Sequence, residues 1–155
     1  MKVSVSEILD VGLPLIKKFE GLRLSPYLCS AGVPTIGYGS TYYSNDMKVS
    51  LSDPSITKET AEGLLKYTVQ KTYLPAVLTF CPTLDTANKY AAILSWTYNL
   101  GIGALKNSTM RKRILDGNWD ETVKELVKWD KAAGKSQPGL TRRRQAEALV
   151  FSSAA

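Results

Sequence analysis

Apolar residues fall at helical spacing over most of this chain, and one segment near the start breaks the pattern. Between positions 6 and 20, Ile8, Leu9, Leu15, Ile16 and Phe19 supply a helical apolar face. Ser6 is placed to cap this helix and Gly21 to end it, while Gly12 and Pro14 weaken its first half. From 22 to 43, Pro26, Gly32, Pro34, Gly37 and Gly39 punctuate short runs of Tyr, Val, Ile and Thr. That composition predicts a small sheet of short strands and tight turns. Positions 44–56 read as an exposed loop.

From Thr57 the period is helical almost to the end. Thr57 caps a helix carrying Ala61, Leu64, Leu65, Val69 and Leu74, which Pro75 interrupts or kinks and Pro82 closes. Asp85 caps a second, with Ala87, Tyr90, Ala91, Ile93, Leu94 and the run from Trp96 to Tyr98. Being apolar on most sides, it is expected to be the buried central helix. Positions 100–105, with Gly101 and Gly103, read as a loop. Ser108 caps a short helix that stops at Gly117, and Asn118 with Glu121 opens one to about Lys131. A loop at 134–139 precedes a last helix, capped by Thr141 and running through Phe151. Helix, small sheet, helices: the class is α+β, mostly helical.

Composition narrows the chemistry. A chain of 155 residues suits one domain, or one body with two lobes. It holds no His, which removes Ser-His-Asp and Cys-His catalysis and His-ligated zinc. Acid–base work must fall to carboxylates, Cys, Tyr or Lys. The net charge of +6 suits an anionic partner or simple solubility. Cys29 and Cys81 lack metal or redox spacing; one disulfide between them is conceivable, but so few cysteines fit a reducing compartment. The N-terminus does not read as a signal peptide, since Ser6, Glu7 and Asp10 interrupt it.

Glu20 stands at the end of the first expected helix. The negative end of the helix dipole disfavours the charged carboxylate there, which suits a proton donor. Taken alone, it would be read as a solvated surface residue. Its neighbours alter that reading: the segment from Phe19 to Thr41 is FEGLRLSPYLCSAGVPTIGYGST. Eight residues separate Glu20 from Cys29, five more separate Cys29 from Thr35, and Ile36-Gly37-Tyr38-Gly39 comes directly after. This segment resembles the bacteriophage lysozymes, the endolysins of glycoside hydrolase family 24. Their pattern is Glu, eight residues, Asp or Cys, five residues, Thr, then I-G-Y-G. Tyr98-Asn99-Leu100-Gly101-Ile102-Gly103-Ala104 resembles the family's F-N-x-G-x-G-A segment. Pro138-Gly139-Leu140, then Arg142, Arg143, Arg144 and Glu147, resembles P-G-L-x-x-R-R-x-x-E.

The resemblance implies a single lysozyme-like catalytic domain over 1–155. Its small sheet lobe would span about 22–56; 57–155 and the first helix would form the helical lobe, with a cleft between the lobes. Glu20, Cys29 and Thr35 are the implied catalytic residues. Glycosidic cleavage needs one carboxyl to protonate the leaving oxygen and a second group to direct water or attack C1. Glu20 is the acid, and Thr35 orients water. Cys29 stands where Asp is more usual; only its thiolate would carry the charge that Asp brings. Without the spacing, Cys29 would be a small buried hydrophobe, the reading kept for Cys81. Tyr38, Asn99, Gly101 and Arg143 are implied substrate-site residues. Tyr38 is balanced between core and cleft wall, and Asn99 between helix end and cleft. Arg143 is the candidate partner of Glu20, with Arg142 and Arg144 read as solvated or wall-binding. Trp96, Trp119 and Trp129 read as core packing.

The expected activity is hydrolysis of the β-1,4 bond between N-acetylmuramic acid and N-acetylglucosamine in peptidoglycan. No metal or cofactor is implied. The partner is the glycan strand rather than nucleic acid, the protein is a monomer, and it waits in the host cytoplasm for a separate holin to release it. Two alternatives stay open: a lytic transglycosylase using Glu20 without water, and a non-catalytic wall-binding module. Charge makes its own prediction. Added salt should weaken lysis of whole cells, because the Debye length is only ~10 Å at 0.1 M. Turnover of a small neutral chito-oligosaccharide should change much less; equal salt sensitivity on both substrates would remove the steering role.

Overall fold

The computed structural model describes residues 3–153. Helix α1 runs Val5–Glu20, followed by strands β1 (Arg23–Leu28) and β2 (Pro34–Gly37). Helix α2 (Lys58–Thr68) passes through a π-turn at Val69–Tyr73 into α3 (Leu74–Phe80). Then come α4 (Ala87–Leu100), α5 (Ile102–Lys106), α6 (Thr109–Leu115) and α7 (Trp119–Leu126). A minimal hairpin of β3 (Lys131–Ala132) and β4 (Lys135–Ser136) leads to α8 (Pro138–Ser152). The mostly helical α+β class is as expected. No helix among the described residues is long and apolar enough to cross a membrane.

The chain divides into two compact units. One comprises Ile16–Thr72, the other the residues up to Leu15 together with those from Tyr73 onward. The smaller unit is built on the antiparallel pair β1–β2, with Tyr27 opposite Thr35 and Leu28 opposite Pro34. Helix α2 packs on β2. Ile36, Val49 and Leu64 form its buried cluster, with Tyr43 and Ile56 against them. The segment read as a loop is tied down more than its composition suggested. Tyr42 bridges Lys48, and Val49 donates its amide to Thr41 O at 3.0 Å. Asp53 accepts from Ser50 N and from Tyr43 Oη, each at 2.8 Å.

In the larger unit, α4 is the buried element, with every residue from Tyr90 to Thr97 buried. Helix α8 packs along it. At Gly12 α1 comes close to α4: a Cβ there would lie 3.1 Å from Leu94 Cδ2. That explains a glycine inside a helix, where its propensity is poor. Pro14 does not stop α1, which runs through it with the proline ring exposed. Pro75, by contrast, has no N–H for the Lys71 carbonyl, and the turn before it widens into the π form.

Helix ends show where local rules suffice. Thr57, Ser108 and Asn118 cap α2, α6 and α7 as expected, their side chains accepting from Thr60, Arg111 and Glu121 amides. Five boundaries differ, and one is the end of α7, which stops at Leu126 rather than near Lys131, where β3 begins. Ser4, not Ser6, accepts from Glu7 N at the start of α1. Thr86, not Asp85, caps α4, accepting from Lys89 N, while Asp85 pairs with the Lys89 ammonium at 3.0 Å. The expected loop at 100–105 contains α5, because Gly101 at φ 102° breaks the chain for one residue and helix resumes. Helix α8 begins at Pro138, whose fixed φ suits a first helical turn, and Thr141 lies inside it. Replacing Thr86 by Ala should cost about 1 kcal/mol. Asp85→Ala should cost a few tenths, as exposed i,i+4 pairs do. Urea denaturation of both variants checks the assignment.

Candidate active site

Glu20 is the last residue of α1, half-buried, and Gly21 at φ 71° turns the chain out of the helix. Only a residue that tolerates positive φ ends a helix this sharply. β1 begins almost at once and carries Tyr27, with Cys29 just beyond its end. A tight turn closes with Cys29 N donating to Val33 O at 3.1 Å and Gly32 N to Cys29 O at 2.8 Å. Gly32 takes the left-handed position at φ 76°. β2 then returns Thr35, 2% exposed, to the same end of the ladder.

The turn shapes the electrostatics of Cys29. Hydrogen bonds from the backbone at Val33 and Ala31, and then from the Thr35 hydroxyl, stabilise the thiolate. They hold the thiol below its ordinary pKa, against a small opposing effect of burial. Cys81 is the converse: burial pushes its thiol up to about 12. Both cysteines are free. Thr35 Oγ1 also donates to Val33 O at 2.8 Å. A hydroxyl has one proton, so Thr35 serves either that carbonyl or the sulfur.

Tyr27 ties Glu20 to this arrangement. Burial raises its phenol pKa first, the Glu20 charge next, and Cys29 adds to it, with Arg23 opposing. The Arg23 guanidinium lies 4.3 Å from the Tyr27 ring centroid, a cation–π contact. Glu20, Cys29 and Thr35 therefore gather in the smaller unit around Tyr27, a residue the spacing argument did not single out. Strand alternation carried the signal: Tyr27 is two residues before Cys29 and shares its parity. Tyr38 sits in a turn where Ile36 and Ser40 exchange both backbone bonds at 2.9 Å. It is 5% exposed, with the Lys17 ammonium 6.0 Å from its ring.

Asn99, Gly101 and Arg143 belong to the larger unit. Gly101 ends α4, its amide donating to Thr97 O at 2.7 Å. Of the three consecutive arginines, Arg142 is exposed while Arg143 and Arg144 are buried. Arg144 thus departs from the expected solvated or wall-binding role. Helix α8 turns it inward because Glu147, three residues on, is buried on that face. Arg143 donates to Ser95 O at 3.1 Å and to Glu147 Oε2 at 3.3 Å. Arg144 Nε lies 2.7 Å from Glu147 Oε1, and its Nη2 donates to Asn99 Oδ1 at 2.7 Å. Burial pushes the Glu147 carboxyl up and the Arg144 guanidinium down, each opposed by the other's charge. Trp96 is buried as expected and meets Trp129 edge-on at 5.1 Å, but Trp129 is 37% exposed. Among the described residues no cluster of His, Cys, Asp or Glu is arranged to hold a metal.

Residues 17–147 match the model of the phage lysozyme family. The chain belongs to that family. It is 41% identical over 152 residues to the endolysin of Acyrthosiphon pisum secondary endosymbiont phage 1, covering 95% of this chain and 99% of that one. The endolysin of Bacillus phage B103 is 37% identical over 149 residues, 93% of this chain, which spans only 53% of that longer protein. Among solved structures, the endolysin from Escherichia coli O157:H7 phage FAHEc1 superposes with a TM-score of 0.83 at 36% identity, over 98% of this chain and 94% of that one. The chain is accordingly a cell-wall-hydrolysing endolysin, a glycosidase of lysozyme type. The transglycosylase and the non-catalytic module are not favoured.

The lysozyme's two thiols should separate cleanly in reactivity. Alkylation of Cys29 should rise with pH through a midpoint below the ~8.5 of a free thiol, because its folded pKa is lowered. Thr35→Val removes one donor to the thiolate and should move that midpoint up. Cys81 should stay unmodified in the folded protein. Mass-resolved alkylation across about pH 5–10 reads all three, and a Cys29 midpoint at or above the free value would overturn the account.

Proposed function

We propose that this endolysin hydrolyses the β-1,4 bond between N-acetylmuramic acid and N-acetylglucosamine, with Glu20 as the acid that protonates the leaving oxygen. Cys29 is the second group, acting as a thiolate. The hydrogen-bonded turn around its sulfur carries this reading, because its donors favour the charged form of the thiol where the family more often has Asp. A thiolate stabilised this way is a weaker nucleophile than a free one. Its role is therefore to favour the developing positive charge on the sugar and to hold the attacking water with the Thr35 hydroxyl. Water, not the sulfur, attacks C1, and the product keeps a reducing end.

Asn99 and Gly101 are assigned to glycan binding, with the buried Tyr38 and Arg143 supporting the groups that touch sugar. Family membership supports a monomer that reaches the wall through a separate holin and remains in the host cytoplasm until then. The basic surface favours the anionic wall.

Reducing ends released from purified peptidoglycan, with product masses, test the proposal. Glu20→Gln should abolish turnover and keep the fold. Cys29→Asp should retain activity, whereas Cys29→Ala should lose about 10²-fold, the scale of one positioned catalytic group. A Cys29→Ala enzyme with wild-type turnover would end the thiolate role and leave Glu20 as the indispensable side chain. Products with a 1,6-anhydro end would overturn the water route.

A further inference from the structure

We infer that Arg144 is a positioning residue that locks the carboxamide of Asn99 with its NH2 end toward the glycan, making the site selective for N-acetylated sugars. The inference rests on the assignment of Asn99 to glycan binding. A side-chain amide has an accepting and a donating end, and in solution the two exchange by rotation. Here one partner fixes the choice. A guanidinium carries five donors and no acceptor, so Arg144 Nη2, 2.7 Å away, bonds only the Asn99 oxygen. The nitrogen is then the end turned from Arg144, on a side chain that is half-buried rather than sealed.

Arg144 is itself held against rotation. Its side chain is buried. Its Nη1 donates to Trp129 O at 3.4 Å, and its Nη2 also reaches Glu147 Oε2 at 3.2 Å. Glu147 cannot swing away, because Ser95 Oγ donates to the same oxygen at 2.6 Å and Arg143 Nε at 3.3 Å. Ser95 and Asn99 lie four residues apart on α4 and so share a face. The cluster thus anchors Arg144 to the same helix that carries the amide it orients.

A fixed NH2 needs an acceptor. On an N-acetylated glycan, the best neutral acceptor is the acetamido carbonyl oxygen. A de-N-acetylated sugar offers an ammonium at that position, which only donates, so two donors would face each other. An amide free to turn would accommodate both, and a locked one discriminates.

The test compares steady-state hydrolysis of purified peptidoglycan with the same material chemically de-N-acetylated. Asn99→Asp is the informative variant. Its carboxylate keeps the Arg144 contact as an ion pair, so the melting temperature should hold, but the donor is gone. KM for acetylated wall should rise roughly tenfold with kcat little changed, the scale of one lost hydrogen bond. The preference for acetylated wall should shrink or reverse, since Asp accepts from an ammonium. Arg144→Lys should restore part of the preference lost in Arg144→Met. Arg144→Met should add nothing to KM in an Asn99→Ala background. Arg144→Met lowers the melting temperature under either reading, because it strips a partner from buried Glu147; unchanged KM and preference in its folded fraction would overturn the inference. A folded Asn99→Asp enzyme with wild-type KM and preference would overturn it too. If Asn99→Ala also leaves KM unchanged, the glycan-binding assignment itself falls. If Asn99→Ala raises KM while Asn99→Asp does not, only the locking argument fails.

Discussion

Glu147 places a carboxylate where water does not reach, and α8 and α4 supply the cations and the hydroxyl that offset its charge. Two guanidiniums from its own helix and one hydroxyl from α4 converge on its oxygens. Removing one partner from such a cluster leaves an uncompensated buried charge, at a cost of about 3–5 kcal/mol. The cluster therefore sets the register of α8 on α4 in a way apolar contact would not. Leu and Ile side chains tolerate a small slide, whereas a carboxylate with named donors does not. Asn99 and Gly101 inherit their placement from that register.

The smaller unit solves a different problem with shorter means. It has little core, and its chemistry hangs on backbone geometry. Gly21 frees the chain from α1, Gly32 allows the turn that supplies amides to Cys29, and Gly37 lies so close to α2 that a Cβ would meet Ala61 Cβ at 3.3 Å. No histidine and no metal is needed to lower the thiol pKa; donors supplied by one short turn suffice. Glu20 and Cys29 are placed by a helix end and a strand end rather than by long-range packing.

This contrast explains what the amino-acid sequence revealed. The Glu20, Cys29 and Thr35 spacing was legible because helix stop, strand length and turn are all local. Caps at Thr57, Ser108 and Asn118 were legible for the same reason. Asp85 and Thr86 are neighbours with similar capping chemistry, and only the backbone conformation chooses Thr86. Helix α5 hid behind two glycines, and the β3–β4 hairpin is too short to show a period. Arg142, Arg143 and Arg144 are identical in chemistry, so separating them needs the rotation of α8, which Glu147 determines from outside the triplet. Tyr27 carried its signal in strand parity alone.

The single proton of Thr35 has one more consequence. While the Cys29 thiol is neutral, the hydroxyl can rest on the Val33 carbonyl; once the sulfur is charged, turning the hydroxyl toward it is favourable. Val33 O then still has the Cys29 amide. Ionisation of the sulfur is thus coupled to a bond rotation on the neighbouring strand, and the hydroxyl's orientation records the charge state of the site before any sugar arrives.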